Sequence, residues 1–93
     1  MGNQAISKNG FINIKVVFYA HLKAAAGTNT TEIELSANAT VADLKAHLKY
    51  QFPALRHQLV NTITFVNQQT LYLDSEELPD GAMVTFLPPV AGG

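Results

Sequence analysis

The chain has 93 residues, of which 47% are hydrophobic and 14% charged, and its formal net charge is -1. This length fits one small domain with a modest core, and the scattered basic residues argue against nucleic-acid binding through phosphate neutralisation. The absence of cysteine excludes disulfides, cysteine nucleophiles and thiolate metal sites within these residues. We find no apolar run of roughly 20 residues and no signal-peptide core, so we expect a cytoplasmic protein that does not bind a membrane.

The first strong signal along the chain is a strand. Residues 1–10 are polar and aperiodic, and we expect them to form a disordered lead-in. Residues 11–19 are rich in β-branched and aromatic side chains, which predicts a strand with its even-numbered residues toward the core. Val17 and Tyr19 then lie on the polar face, where apolar side chains are unexpected.

Two shorter segments follow this strand. Residues 20–26 are rich in alanine and are predicted to be a short connection closed by Gly27. Residues 31–35 alternate between polar and apolar side chains, as a half-buried strand does. The close spacing of the two strands predicts that they pair antiparallel.

Residues 40–52 carry the clearest helix signature. Thr40 and Asp43 have the spacing of a capping box, and Pro53 predicts that the helix ends at or before Phe52. The apolar residues of this segment recur at a spacing that puts them on one helical face: Val41, Leu44, Leu48 and Phe52.

Three more strand signals complete the chain, at residues 62–66, 71–73 and 83–87. In the first of these, alternation predicts that Ile63 and Phe65 face the core. The last strand follows a strong turn signal, and it leaves Met83 and Leu87 as apolar residues on the outward face.

This order of elements predicts an α+β fold of the β-grasp (ubiquitin-like) type, with one main helix packed on a mixed four- to five-stranded sheet. We expect the β-grasp domain to span residues 11–87, followed by a flexible tail at 88–93. The predicted core is formed by Ile14, Val16, Phe18, Ile33, Leu35, Val41, Leu44, Leu48, Ile63, Phe65, Val84 and Phe86.

Side chains that could support catalysis are sparse. His21, His47 and His57 lack metal-ligand spacing, and we predict no metal site and no bound cofactor. The serines lack a nucleophile-elbow context. We therefore predict that the chain is not an enzyme on its own.

The final six residues are the most informative segment: Pro88, Pro89, Val90, Ala91, Gly92 and Gly93. The prolines restrict φ and direct the tail away from the sheet, while Gly92 and Gly93 let the backbone enter a narrow channel. A terminal carboxylate at Gly93 becomes a good electrophile once it is adenylated. A flexible tail that ends in two glycines by chance is the alternative interpretation.

The sequence resembles the MoaD/ThiS family of ubiquitin-like sulfur carriers, and its ending favours the MoaD type, the small subunit of molybdopterin synthase. The matching pieces run from about Ile12 to Gly93. They are Val16-Val-Phe-Tyr-Ala20, Leu22, Gly27, Thr40-Val-x-x-Leu44, Phe65-Val-Asn67, Asp80-Gly81 and Val84-x-Phe-Leu-Pro-Pro-Val-Ala-Gly-Gly93.

The resemblance implies a mechanism and partners. A MoeB-type enzyme would use ATP to adenylate Gly93, and a persulfide donor would convert the acyl-adenylate to a thiocarboxylate. The tail would then insert into a MoaE-type large subunit and give its sulfur to a pterin precursor in molybdopterin biosynthesis. Catalytic side chains would lie on the partners.

A partner-binding surface follows from the apolar residues on the outward faces of the first and last strands. If these strands are parallel neighbours, Tyr19 and Leu87 lie at the same end, beside the tail, with Val17 and Met83 on the same face. The resemblance adds Leu71, because the corresponding family position is similarly apolar. A clustered exposed apolar patch usually marks an interface.

Three other functions compete with this one, and the sequence argues against the third but does not separate the first two from it. The chain could be a sulfur carrier for another pathway, such as cysteine synthesis or tRNA thiolation. It could be a protein modifier joined through Gly93 to lysines, as ubiquitin is. The third is an interaction domain with an inert tail.

Overall fold

The computed structural model describes residues 10–88. In chain order the elements are β1 (Phe11–Val17), α1 (Ala20–Ala26), β2 (Thr30–Ser36), α2 (Val41–Gln51), a 3₁₀ helix (Pro53–Leu55), β3 (Ile63–Val66), β4 (Thr70–Tyr72) and β5 (Met83–Leu87). The predicted lead-in, except Gly10, and the tail after Pro88 lie outside the described residues.

The five strands form one mixed sheet in the order β2-β1-β5-β3-β4. β1 pairs antiparallel with β2 and parallel with β5, and β3 pairs antiparallel with both β5 and β4. The expected β-grasp arrangement is confirmed, with β5 at the centre of the sheet. The last strand of the domain is therefore hydrogen-bonded along both of its edges.

The helix α2 begins and ends where the sequence predicts. The backbone N–H of Thr40 donates to Asp43 Oδ2 (2.9 Å), and the backbone N–H of Asp43 donates to Thr40 Oγ1 (3.2 Å), which completes the capping box. At the other end, the N–H of Phe52 donates to the Leu48 carbonyl (2.7 Å) immediately before Pro53. The apolar face of α2 packs on one face of the sheet, which we call the inner face.

Residues 20–26 form a helix, so the prediction of a short connection was wrong. Its alanines favour a helix, and Leu22 is buried in the core. The helix ends at Gly27, whose φ of 76° lies in the left-handed region and whose N–H donates to the Lys23 carbonyl (2.9 Å). A helix of about two turns is too short to show the apolar period that identifies α2.

All predicted core residues are buried except Ile63 and Phe65, which are half-buried. The inward parity predicted for β3 was wrong. In the ladder with β5, Thr64 lies opposite Phe86 and Val66 opposite Val84, so Thr64 and Val66 face the core. Ile63 and Phe65 consequently lie on the other face of the sheet.

Candidate partner interface and tail exit

The face of the sheet opposite the helices, the outer face, carries a row of residues that crosses four strands. Val17 lies opposite Thr85, Thr85 opposite Phe65, and Phe65 opposite Leu71. Side chains of paired residues point to the same side of a sheet, so these four share the outer face. Leu71 is 52% exposed, whereas Thr85 is buried beneath its neighbours.

The other predicted partner-binding residues adjoin this row. Met83 precedes it on β5, and Leu87 follows it opposite Ile63. A shallow depression of about 260 Å³ is lined by Tyr19, Phe65, Gln68, Thr85 and Leu87. The structure thus brings Tyr19, which is 48% exposed, beside Leu87.

Sequence reasoning missed two members of this surface, Ile63 and Phe65, because it assigned them to the core. The register between β3 and β5 decides which residues of β3 face the core. The alternation of residues within β3 does not reveal this register. Leu73, which is 63% exposed just beyond β4, is a further apolar residue that sequence reasoning did not single out.

A tight turn holds the β3–β4 hairpin against β5. Asn67 and Gln68 have φ values of 55° and 64°, and the N–H of Gln69 donates to the Val66 carbonyl (3.3 Å), as in a type I′ turn. The N–H of Asn67 donates to the Met83 carbonyl (2.7 Å), and the N–H of Met83 donates to Asn67 Oδ1 (2.9 Å). These two bonds fix the hairpin to the start of the central strand.

The central strand leads directly to the tail. Leu87 is the last residue of β5, and Pro88 after it is exposed. Because β5 is bonded to β1 and β3 at once, the direction in which the chain leaves the sheet is fixed. The predicted tail residues Pro89, Val90, Ala91, Gly92 and Gly93 lie outside the described residues.

Lys45 is the one lysine that the structure buries within residues 10–88, although its position along α2 predicted a largely polar setting. Its Nζ lies 2.9 Å from Asp74 Oδ1 and 5.9 Å from the centre of the Phe86 ring. The aliphatic stem covers apolar surface while the ammonium group is paired. Lys45 therefore links α2 to the loop after β4.

The described part of the chain contains no group of three or more His, Cys, Asp or Glu side chains that could hold a metal ion. His21, His47 and His57 are all exposed. Between residues 10 and 88, no helix is both long and apolar enough to cross a bilayer. Among the described residues, the features that stand out are the apolar outer face and the end of β5 from which the tail leaves.

Comparison with protein families gives a match to the ThiS family over residues 16–93. The chain belongs to the ThiS family. It is 34% identical over 83 residues to a molybdopterin synthase sulfur carrier subunit of Chlamydomonas reinhardtii, covering 88% of this chain and 100% of the relative. It is 37% identical over 82 residues to the subunit of that name from Escherichia coli, covering 86% and 99%.

Solved structures show the same fold. A putative molybdopterin converting factor subunit 1 of Pyrococcus furiosus has a TM-score of 0.74 at 29% identity, with 85% of this chain and 99% of that chain covered. The small archaeal modifier protein 1 of Haloferax volcanii has a TM-score of 0.77 at 22% identity (85% and 99%). A complex of subunits 1 and 2 of the molybdopterin-converting factor from Helicobacter pylori gives 0.61 at 24% identity (88% and 100%).

Proposed function

We propose that this chain is the sulfur carrier subunit of a molybdopterin synthase, with the sulfur held as a thiocarboxylate on Gly93. The proposal rests on one observation: two relatives of that name match this chain over nearly their whole length, at 34% and 37% identity. The family match also extends through Gly92 and Gly93.

The chemistry assigned to the chain is confined to its carboxylate. A MoeB-type partner joins the Gly93 carboxylate to AMP and releases pyrophosphate from ATP. A persulfide sulfur then attacks the acyl carbon, AMP leaves, and reductive cleavage of the sulfur–sulfur bond by a thiol leaves the thiocarboxylate. The chain binds no cofactor itself, and the use of ATP and of a thiol reductant suits the cytoplasm.

The tail has the length and the narrow cross-section that this chemistry needs. Six extended residues from Pro88 to Gly93 span about 20 Å at roughly 3.3 to 3.6 Å each. The domain can therefore stay docked outside a partner while Gly93 reaches a buried site. Pro88, Pro89, Val90 and Ala91 set direction and length, and Gly92 lets the backbone pass a narrow channel.

The outer face is the surface that we assign to the partners. It presents Val17, Tyr19, Leu71, Met83 and Leu87 on the side of the sheet that no described helix covers. Phe65 joins them at the centre of the row. This apolar surface borders the exit of the tail, so a partner that docks there also meets the tail, first as a MoeB-type enzyme and then as a MoaE-type large subunit.

The test is transfer of sulfur to Gly93 by a purified adenylating enzyme with ATP and a persulfide donor. Replacement of one oxygen by sulfur raises the intact mass by about 16 Da. We expect Gly92→Val to keep the circular dichroism spectrum of the parent and to lose most of this product, because the added side chain blocks the channel.

A chain with one residue added after Gly93 is the matched control. It should gain no sulfur until the extra residue is trimmed, since its carboxylate is displaced. Sulfur on the untrimmed chain would contradict the proposal. Recovery of Gly93 in isopeptide linkage to lysines of other proteins would favour the protein-modifier function instead.

A further inference from the structure

The strand β2 forms one edge of the sheet, and it is longer than β4 at the opposite edge. β2 has seven residues and β4 has three. Among the described strands, β2 pairs with β1 alone, because it stands at the end of the sheet order. Its other side therefore faces away from the sheet. Unpaired N–H and C=O groups on such an edge can bond to an added strand.

The ladder with β1 decides which main-chain groups of β2 face away from the sheet. The N–H of Phe18 donates to the Asn29 carbonyl (2.7 Å), and the N–H of Ala37 donates to the Gly10 carbonyl (2.9 Å). These bonds continue the antiparallel ladder beyond both of its ends, and hydrogen-bonded pairs alternate with non-hydrogen-bonded pairs along such a ladder. The even-numbered residues of β2 therefore direct their N–H and C=O groups away from β1.

These outward-facing groups are bonded at the two ends of β2 but not in its middle. The Thr30 carbonyl accepts from Thr28 Oγ1 (3.1 Å), and the Ser36 carbonyl accepts from the N–H of Ala39 (3.0 Å). Within residues 10–88, no hydrogen bond reaches the outward-facing N–H and C=O groups of the two glutamates between them. The open part of the edge thus offers two donors and two acceptors.

Glu32 and Glu34 also give this edge its charge. Both side chains are exposed, and they lie on the outer face opposite Lys15 and Asn13 of β1. Neither glutamate forms a salt bridge with a described residue. Lys15 is the one cation in the β1–β2 ladder, so two carboxylates face a single ammonium group. The exposed edge is therefore negative, and it attracts basic side chains.

A depression lies beside the end of the same strand, where α2 begins. It has a volume of about 300 Å³ and is lined by Leu35, Ser36, Ala37, Asn38, Ala39 and Asp43. Leu35 and the two alanines give it apolar walls, and Leu35 belongs to the inner face. Asp43 adds a further carboxylate at its margin. An apolar side chain that points to the inner side of an added strand can lie in this depression.

A second copy of this chain is a poor occupant of the edge. If two β2 strands paired antiparallel, the glutamates of one copy would lie beside those of the other on the outer face. Like charges directly opposite each other in a sheet are destabilising. The charge that protects this edge from self-association therefore also selects for a partner strand of opposite charge.

We propose that the β2 edge is a docking site at which an extended segment of a partner protein adds a strand to the sheet. The segment carries basic side chains at alternate positions, beside Glu32 and Glu34 on the outer face, and apolar side chains between them, next to Leu35 on the inner side. The main chain of the two glutamates holds the segment, and charge complementarity sets its sequence preference. This site goes beyond the proposed function and does not depend on it.

The β2 edge is separate from the surface that we assign to the partners of the tail. The row of residues on that surface crosses β1, β5, β3 and β4, and Leu71 lies on the edge strand opposite β2. A protein bound to the β2 edge therefore leaves Leu71 and the end of β5 uncovered. The chain can be held by one protein while its tail is used by another.

The experiment is an NMR titration of the full chain with a peptide of the length of β2 in which lysine and valine alternate. The amide signals of Glu32 and Glu34 should shift, and these amides should exchange with solvent more slowly, because carbonyls of the peptide bond to them. The signals of Leu71 and Leu87 should not move. A peptide with the same lysines and valines in two blocks should bind about tenfold more weakly, because its charges cannot alternate along the edge.

Charge reversal is the sharpest change to the chain. Glu32→Lys combined with Glu34→Lys should abolish binding of the lysine–valine peptide and create binding of a glutamate–valine peptide. Neutralisation by Glu32→Gln and Glu34→Gln should weaken binding of the lysine–valine peptide about tenfold. The matched control is Gln51→Lys combined with Gln69→Lys, which changes net charge by the same amount at exposed positions away from β2. It should stay within about twofold of the parent.

Equal weakening by the glutamine pair and the control would overturn the site, because net charge rather than location would then govern binding. Equal binding of the alternating and the block peptide would also overturn it. A dimer of the parent with slowly exchanging β2 amides would identify a second copy as the occupant instead. Thermal melts verify that each variant is folded. No step of this experiment uses sulfur transfer to Gly93, so a failure of the proposed function would leave its outcome unchanged.

Discussion

Both faces of the central strand β5 carry large apolar side chains, but the two faces meet different surroundings. On the inner face, Val84 and Phe86 are fully buried beneath α2. On the outer face, Met83 and Leu87 of the same strand are only half-buried, and Leu71 is 52% exposed. The chain itself covers the inner face, whereas the outer face is the surface that we propose a partner covers.

Loss of the Phe86 side chain should have the largest effect on stability. Phe86 is fully buried on the inner face, so Phe86→Ala should cost about 3 to 5 kcal/mol of unfolding free energy, which could unfold a domain of this size. The measurement is denaturant unfolding. An unchanged midpoint would show that the inner face is not the one that stabilises the fold.

A substitution on the outer face should weaken binding to the partner and leave stability almost unchanged. Leu71→Asn should change the unfolding free energy little, because the side chain is already half exposed, but should weaken binding to the large subunit by about 2 kcal/mol, or roughly 30-fold. Val60→Asn is the matched control, since Val60 is also 52% exposed but lies off the sheet. Calorimetric titration should separate the two variants, and equal affinities would mean that the outer face is not the docking surface.

A polar atom on the inner face offers a gain in stability. Thr64 is 2% exposed, and its Oγ1 has no hydrogen-bond partner. Thr64→Val keeps the shape and removes the buried hydroxyl, so it should stabilise the domain by about 1 kcal/mol. Thr62→Val is the control and should destabilise, because Thr62 Oγ1 donates to the Leu59 carbonyl (3.0 Å). A lower melting temperature for Thr64→Val would indicate that its hydroxyl is satisfied.

The smallest expected effect is at the turn that positions the outer face. Gln68 has a φ of 64°, which glycine adopts more readily, so Gln68→Gly should stabilise the domain by about 0.5 to 1 kcal/mol. Gln69 does not have a positive φ, and Gln69→Gly should be destabilising because glycine loses more conformational freedom on folding. If the melting temperatures of Gln68→Gly and Gln69→Gly changed in the same direction, the assigned turn would be wrong.

The sequence predicts most accurately where local signals agree. For α2, the capping box, the apolar period and Pro53 all point to the same boundaries, and the structure has them. The parity of β3 could not be predicted in this way, because Ile63 and Phe65 are as apolar as a core pair and only the pairing with β5 decides their face. α1 was missed because its seven residues give too short a period.

The candidate interface was partly predictable for the same reason. Val17, Tyr19, Met83 and Leu87 violate the alternation of strands whose inner parity is clear, so each is visible as an exception. Phe65 could not be recognised in this way, because the sequence analysis assigned it to the inner face of β3. An apolar residue can therefore be recognised as part of a docking surface only when the sequence predicts which face of its strand points to the core.

The central position of β5 also has a consequence for the order of synthesis. The strand that joins the β1–β2 pair to the β3–β4 pair is made after both of them. Until it emerges from the ribosome, the nascent chain has two separate strand pairs with unpaired edges and no continuous sheet for α2 to cover. Such edges are prone to pairing with other chains. We therefore expect this domain to complete its folding only after β5 has been made, in a single step in which β5 inserts between β1 and β3.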